Sequence, residues 1–271
     1  MADIPKTDYS RLDDPMISAL LFYPRPDLGR APDDETVESI LIPLEKDVVI
    51  GARFHMASPK AATIVFFHGN GEIVADYDEL GIVYSEMGIN FFPVDYRGYG
   101  RSTGRPTVSA LMRDCHTVFA YIKNLLSEKR YSGPVVIMGR SLGSAPALEL
   151  AFNYRGEVDG LIIDSGFAHE GPLLGLFGID VHALGFMEEH GFRNLYKISS
   201  FDKPTLVIHA EFDHIISFSE GRLLFEASPA HEKKFLKVPG ANHNDIFAHG
   251  LAAYLEAIKW LVGRSGVPRA K

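Results

Sequence analysis

Two segments of the 271-residue chain set a serine between glycines, Gly139-Arg140-Ser141-Leu142-Gly143 and Gly100-Arg101-Ser102-Thr103-Gly104. A G-x-S-x-G run supports nucleophilic chemistry when its serine sits on a sharp turn from a buried strand straight into a helix, which lifts the hydroxyl above the sheet edge. Glycines flank such a turn because a side chain there would collide. Ser141 meets the requirement. The apolar run 135–138 ends at Gly139, and residues 142–153 read as a helix with Pro146 tolerated near its start. Ser102 does not meet it. Residues 95–100 separate it from the preceding strand, and Arg105-Pro106 follows in place of a helix. Ser141 is the candidate nucleophile, and Ser102 reads as part of a glycine-rich loop.

A serine hydroxyl attacks only once a base takes its proton. Of the 11 histidines, His243 stands where that base belongs, on a loop after the last apolar run, in Pro239-Gly240-Ala241-Asn242-His243. His68 and His209 lie at strand ends and read as supports; the others read as surface or packing residues. A carboxylate must then fix the imidazole tautomer and stabilise its cation. Asp213 closes His209-Ala210-Glu211-Phe212-Asp213, directly after the run 205–208. It is preferred over Asp164, at the end of the run 161–163, and over Glu211. The resulting chain order is Ser…Asp…His. Two backbone N–H groups are needed for the developing oxyanion. Leu142, after the candidate nucleophile, is one expected donor. Asn70, in His68-Gly69-Asn70-Gly71, is the other, with Gly71 as the alternative and a helix N-cap as a further role for the Asn70 side chain.

These residues need a frame that brings distant positions together. Short, mostly apolar runs recur at 63–67, 89–94, 135–138, 161–163, 205–208 and 234–238, bounded by Gly, Pro or Asp. Runs of this length suit strands buried on both faces. Between them, Val108, Leu111, Met112, Cys115, Val118, Phe119, Ile122 and Leu125 recur mostly three or four apart and predict a long amphipathic helix. Shorter helical patterns fall at 223–225 and 252–261. The alternation predicts an α/β fold, a mostly parallel sheet with helices on both faces. Residues 39–44 and 48–56 flank Glu45-Lys46-Asp47 as an antiparallel hairpin. Residues 1–36 form an N-terminal arm, residues 37–165 and 204–271 the core, and the strand-free stretch 166–203 a small helical cap.

Composition narrows the function classes. Hydrophobic residues make up 46% and charged residues 23%, an ordinary globular balance. A net charge of −8 argues against nucleic acid as a partner and against anionic membrane surfaces. The single Cys115 builds neither an internal disulfide nor a thiolate metal site, which fits a reducing compartment. No signal-peptide pattern and no apolar run of membrane-spanning length occur, so a cytoplasmic protein without stable membrane insertion is expected. No histidine–carboxylate spacing suggests a metal, and the chemistry requires no cofactor. The oligomeric state is left open.

His-Gly-Asn-Gly at 68–71, Asp-Tyr-Arg-Gly-Tyr-Gly-Arg-Ser at 95–102, Gly-Arg-Ser-Leu-Gly-Ser at 139–144, His-Ala-Glu-Phe-Asp at 209–213 and the late His243 resemble the α/β-hydrolase fold superfamily of serine hydrolases in order and spacing. The resemblance runs from about Thr63 to Trp260. It is nearest to the small-cap members, the protein depalmitoylases (acyl-protein thioesterases) and related carboxylesterases. It implies a catalytic triad of Ser141, Asp213 and His243, an oxyanion hole shaped by Asn70 and Leu142, and a structural loop at 95–100. Two departures stand out. Membrane-acting depalmitoylases of this type carry an N-terminal cysteine cluster that this sequence lacks, which argues against a membrane-bound lipidated protein as substrate. Ala210 replaces the Gly often found after the strand-end His. The expected function is cleavage of a carboxylic ester or thioester, with a small-molecule or acyl substrate. The alternatives are an aminopeptidase-like serine peptidase, with Glu170, Glu188 and Glu189 of the cap as candidate holders of a free amine, and a non-catalytic binding protein on the same fold.

Overall fold

A computed structural model of the chain describes residues 7–29, 34–176, 178 and 191–266. The apolar runs pair into one eight-stranded sheet: β1 (Val37–Glu45), β2 (Val48–His55), β3 (Thr63–Phe67), β4 (Asn90–Val94), β5 (Val135–Arg140), β6 (Gly160–Asp164), β7 (Thr205–Ala210) and β8 (Lys233–Val238). The order is β1-β2-β4-β3-β5-β6-β7-β8. The β1–β2 hairpin is antiparallel, as its charged turn predicts, and β2 meets β4 antiparallel. From β4 to β8 every pairing is parallel.

Parallel neighbours need crossover helices. Here α2 (Asp78–Glu86) joins β3 to β4, α3 (Val108–Glu128) joins β4 to β5, α4 (Ser144–Asn153) joins β5 to β6, and α7 (Phe218–Ala227) joins β7 to β8; α8 (Ile246–Val262) follows β8. Successive strand residues face opposite sides. Val65, Phe67 and Ile137 pack with Val118, Phe119 and Ile122 of α3, whereas Ile64, Phe66, Val136 and Met138 pack with Tyr84 of α2 and Tyr254 and Ile258 of α8. Both faces are thus covered, and the central strands read as unbroken apolar runs. Thr107 starts α3 by accepting from the Ala110 N–H at 3.1 Å.

Residues 15–21, within the proposed arm, form the helix α1 (Pro15–Leu21). Leu12, Ile17, Leu21 and Phe22 are buried in the same cluster as α3. The chain then runs past Gly100, whose N–H donates to the Arg25 carbonyl at 2.9 Å. In the stretch 166–203, α5 (Glu170–Leu176) and α6 (Asn194–Ile198) are helical. Residues 177 and 179–190 lie outside the described residues, and with them Ile179, Leu184, Phe186, Met187, Glu188 and Glu189 of the expected cap.

Candidate active site

Parallel registry sets the carboxyl ends of the strands side by side. Phe67 pairs with Gly139, Arg140 with Asp164, and Ala210 with Val238. The loops leaving these ends carry all the candidate residues. Ser141 follows β5 with φ +50°, a left-handed conformation that a non-glycine residue adopts only when its surroundings enforce it. The enforcement is steric. A side chain at Gly139 would run into the Gly143 carbonyl, and one at Gly143 into the Phe67 carbonyl at the end of β3. The glycines let the turn fold under the neighbouring strand.

Asp213 and His243 lie on the loops that follow β7 and β8. His243 Nδ1 lies 2.7 Å from Asp213 Oδ2, and its Nε2 lies 3.0 Å from Ser141 Oγ. With Nδ1 donating to the carboxylate, Nε2 is left to accept from the hydroxyl. The other carboxylate oxygen of Asp213 accepts the Ile215 and Ile216 N–H groups at 3.0 and 2.8 Å. Burial opposes the charge on Asp213, but the hydrogen bond and charge of His243 and the Ile216 amide outweigh it, and the carboxyl is held below its ordinary range. His209 flanks it. Its Nε2–H donates to the Ile216 carbonyl at 2.8 Å and stands 3.5 Å from Asp213 Oδ2, while burial lowers the pKa of its imidazole. The loop of His243 is tied by Asn242, whose N–H donates to Asp245 Oδ1 at 2.7 Å.

The rivals sit elsewhere. Asp164 is fully buried, taking a hydrogen bond from Tyr254 Oη at 3.1 Å and standing 3.7 Å from Arg140 Nη1. Glu211 pairs with Lys237 and accepts the Gly240 N–H. Ser102 Oγ accepts the Gly51 N–H at 2.9 Å and so fastens its loop to β2.

The loop after β3 lies against the Ser141 turn, as the contact of Gly143 with the Phe67 and His68 carbonyls requires. Asn70 does not cap a helix; the N-cap of the short turn Val74–Tyr77 is Ile73. Its side-chain oxygen instead accepts from the Tyr23 N–H and from Tyr99 Oη, both at 2.7 Å. The arm thereby holds the loop from outside, and Arg25 Nε adds a 2.7 Å bond to the Gly71 carbonyl. Leu142 lies in the first turn (Ser141–Gly143) of the helical segment, where amides lack intrahelical partners.

Sequence reading missed two charged residues of this neighbourhood. Arg140, inside the G-x-S-x-G run, is buried, and its Nε donates to Glu72 at 2.9 Å. Glu72 directly follows the 68–71 loop. The available signal was a charge in each of two otherwise small, close-packed motifs. Glu170 is buried at the start of α5. Among the described residues, no group of three His, Cys, Asp or Glu side chains is placed to hold a metal, and no helix is long and apolar enough to cross a membrane.

Comparison with known proteins gives consistent results. A family model described as serine aminopeptidase, S33, matches residues 58–175. The human α/β hydrolase domain-containing protein 17B is 32% identical over 240 residues, covering 86% of this chain and 77% of that protein. The mouse protein 17C is 30% identical over 236 residues, covering 84% and 68%. Among solved structures, an esterase of Pyrococcus furiosus superposes with a TM-score of 0.72 at 16% identity, covering 89% of this chain and 98% of that one. A monoacylglycerol lipase of Paleococcus ferrophilus superposes with a TM-score of 0.63 at 18% identity, covering 80% and 99%. At such identities the structures speak for the fold.

Proposed function

The chain belongs to the family of the α/β hydrolase domain-containing 17 proteins and is a hydrolase of the α/β-hydrolase fold; from that premise we propose that it cleaves carboxylic esters or thioesters through an acyl-enzyme on Ser141. One observation carries the reading: the unbroken hydrogen-bonded line from Ser141 Oγ through His243 to Asp213, at 3.0 and 2.7 Å.

In this mechanism Ser141 Oγ attacks the acyl carbon as His243 Nε2 takes its proton. The anion that forms on the acyl oxygen meets the Asn70 and Leu142 N–H groups. Asp213 stays ionised beside the imidazolium. His243 then gives its proton to the departing alkoxide or thiolate. Water, deprotonated by His243, attacks the acyl-enzyme, and the acid leaves as Ser141 regains its proton. Metal and cofactor are not required for any of these steps. The reading includes a cytoplasmic enzyme, which the single buried thiol of Cys115 suits.

A fluorophosphonate probe tests the reading directly. The wild-type protein becomes labelled, Ser141→Ala abolishes the label, and Ser102→Ala keeps it. Labelling that survives Ser141→Ala refutes the assignment. p-Nitrophenyl esters of rising chain length, run beside aminoacyl amides, separate an esterase from a peptidase.

A further inference from the structure

The polar network beneath the candidate site converges on one side chain. Arg140 immediately precedes Ser141, and its guanidinium is almost wholly buried. Nε donates to Glu72 Oε1 at 2.9 Å, Nη2 donates to the His243 carbonyl at 2.9 Å, and Nη1 stands 3.7 Å from Asp164 Oδ1. Glu72 is itself a junction. Its other oxygen accepts the Gly69 N–H at 2.6 Å and the Tyr77 hydroxyl at 2.5 Å. A planar fork thus spans the loop after β3, the Ser141 turn and the loop after β8, segments that carry one expected oxyanion donor, the nucleophile and the base.

We propose that Arg140 and Glu72 are positioning residues, a buried strut that sets the distance between the Asn70 amide, the Ser141 hydroxyl and the His243 imidazole. The proposal rests on the serine-hydrolase reading. Its physical basis is that a buried ion pair is a weak source of net stability, because desolvation cancels much of the attraction, whereas its hydrogen-bonded geometry fixes orientation. Burial opposes both charges; the Arg140–Glu72 attraction, helped by the Tyr77 hydroxyl and the Gly69 N–H at Glu72 and by Asp164 at Arg140, overcomes it, leaving the carboxyl below and the guanidinium above their ordinary values. Neither side chain touches the reacting atoms in this arrangement. Each acts through the backbone it holds, Glu72 through Gly69 and Arg140 through the carbonyl of His243.

Glu72→Gln tests the strut. The amide keeps the shape but presents one acceptor where two are needed, so either Arg140 or the Gly69 N–H loses its partner. The expected result is a fall in kcat of about 10- to 100-fold with KM changed less than about threefold, since misplacement by an ångström is felt mainly in the transition state. Amide hydrogen exchange should speed up over residues 68–72 and 242–244 and stay unchanged in the central strands. Arg140→Lys, which keeps the charge but not the fork, should give the same pattern. The double variant should be no worse than the poorer single, because the pair acts as a unit.

Asn90→Ala serves as the control. It removes hydrogen bonds to Ala57, Ser58 and Ala61 at the opposite end of the sheet, and should lower Tm while kcat stays within about twofold. If Glu72→Gln keeps wild-type kcat and wild-type exchange, the strut is refuted. If the wild-type protein neither hydrolyses esters nor takes the fluorophosphonate, the hydrolytic reading fails, and the exchange experiment alone still decides whether the pair holds the loops.

Discussion

Asp213→Asn changes one atom of the relay, and the structure dictates where that atom goes. The carboxylate oxygen Oδ1 accepts two backbone N–H groups, from Ile215 and Ile216 at 3.0 and 2.8 Å. Only an oxygen is tolerated there, so the asparagine carbonyl must take that position and the NH2 must face His243 Nδ1. His209 Nε2 stands 3.5 Å from the same corner but is committed to the Ile216 carbonyl at 2.8 Å, so it offers the new NH2 no acceptor. His243 Nδ1 is then forced to accept, the ring proton moves to Nε2, and Nε2 no longer takes the proton of Ser141. The same substitution in a serine protease of unrelated fold lowers kcat by about 10⁴. At about 1.36 kcal/mol per tenfold, that corresponds to roughly 5 kcal/mol of transition-state stabilisation. The assay is kcat for a short-chain p-nitrophenyl ester, with thermal unfolding in parallel. Because both amide contacts survive, Tm should move by only a few degrees. If the Asp213→Asn variant retains more than a tenth of wild-type kcat, the tautomer argument is refuted, and a larger loss from Asp164→Asn moves the acid to that residue.

Asn70→Ala keeps the backbone N–H but removes the acceptor shared by Tyr23 and Tyr99. Ester hydrolysis should fall by about tenfold through loop displacement, and an unchanged kcat would show that the arm does not position the loop. Gly143→Ala drives a methyl into the Phe67 carbonyl and should destabilise by about 3 kcal/mol or more, read from the urea midpoint. Ser102→Ala should leave hydrolysis within about twofold while costing about 1–3 kcal/mol, because the Gly51 N–H loses its acceptor. In Glu149, burial raises the carboxyl, but His116 and Lys197 outweigh it and bring its pKa down to about 2 from the ordinary 4.5. A depressed carboxyl stabilises above its unfolded value and loses that contribution as pH falls. The urea midpoint should therefore drop as pH is lowered from about 4.5 toward 2, and Glu149→Gln should flatten that limb while lowering stability at neutral pH.

Much of this arrangement was legible because it is written in local patterns. Unbroken apolar runs such as 135–138 mark strands buried on both faces, and strand ends mark where loops at one sheet edge must lie. Ser141, Asp213 and His243 each follow a strand end within a few residues, so the G-x-S-x-G run and the strand–helix alternation together point to one sheet edge. The helix α2 is hidden in the sequence for a physical reason. Gly81 sits mid-helix because a side chain there would strike the His55 ring, and the glycine erases the helical signature. The Arg140–Glu72 pair is hidden because nothing local announces a contact between residues 68 positions apart. The capping role expected of the Asn70 side chain fails because its partners, Tyr23 and Tyr99, come from the arm and from the loop after β4.

The backbone of Ser141 shows why such distant supports are needed. A non-glycine residue in the left-handed region costs on the order of 1–3 kcal/mol, and the turn relaxes unless both flanks are fixed. On one side β5 is paired with β3 and β6 up to Gly139 and Arg140. On the other, Gly143 is wedged beneath the end of β3, so the helix that follows cannot slide back. Facing the loop of His243, the Arg140 side chain donates to the His243 carbonyl at 2.9 Å. If Arg140 is the strut proposed above, loosening it should relax the serine and misplace its base in the same step.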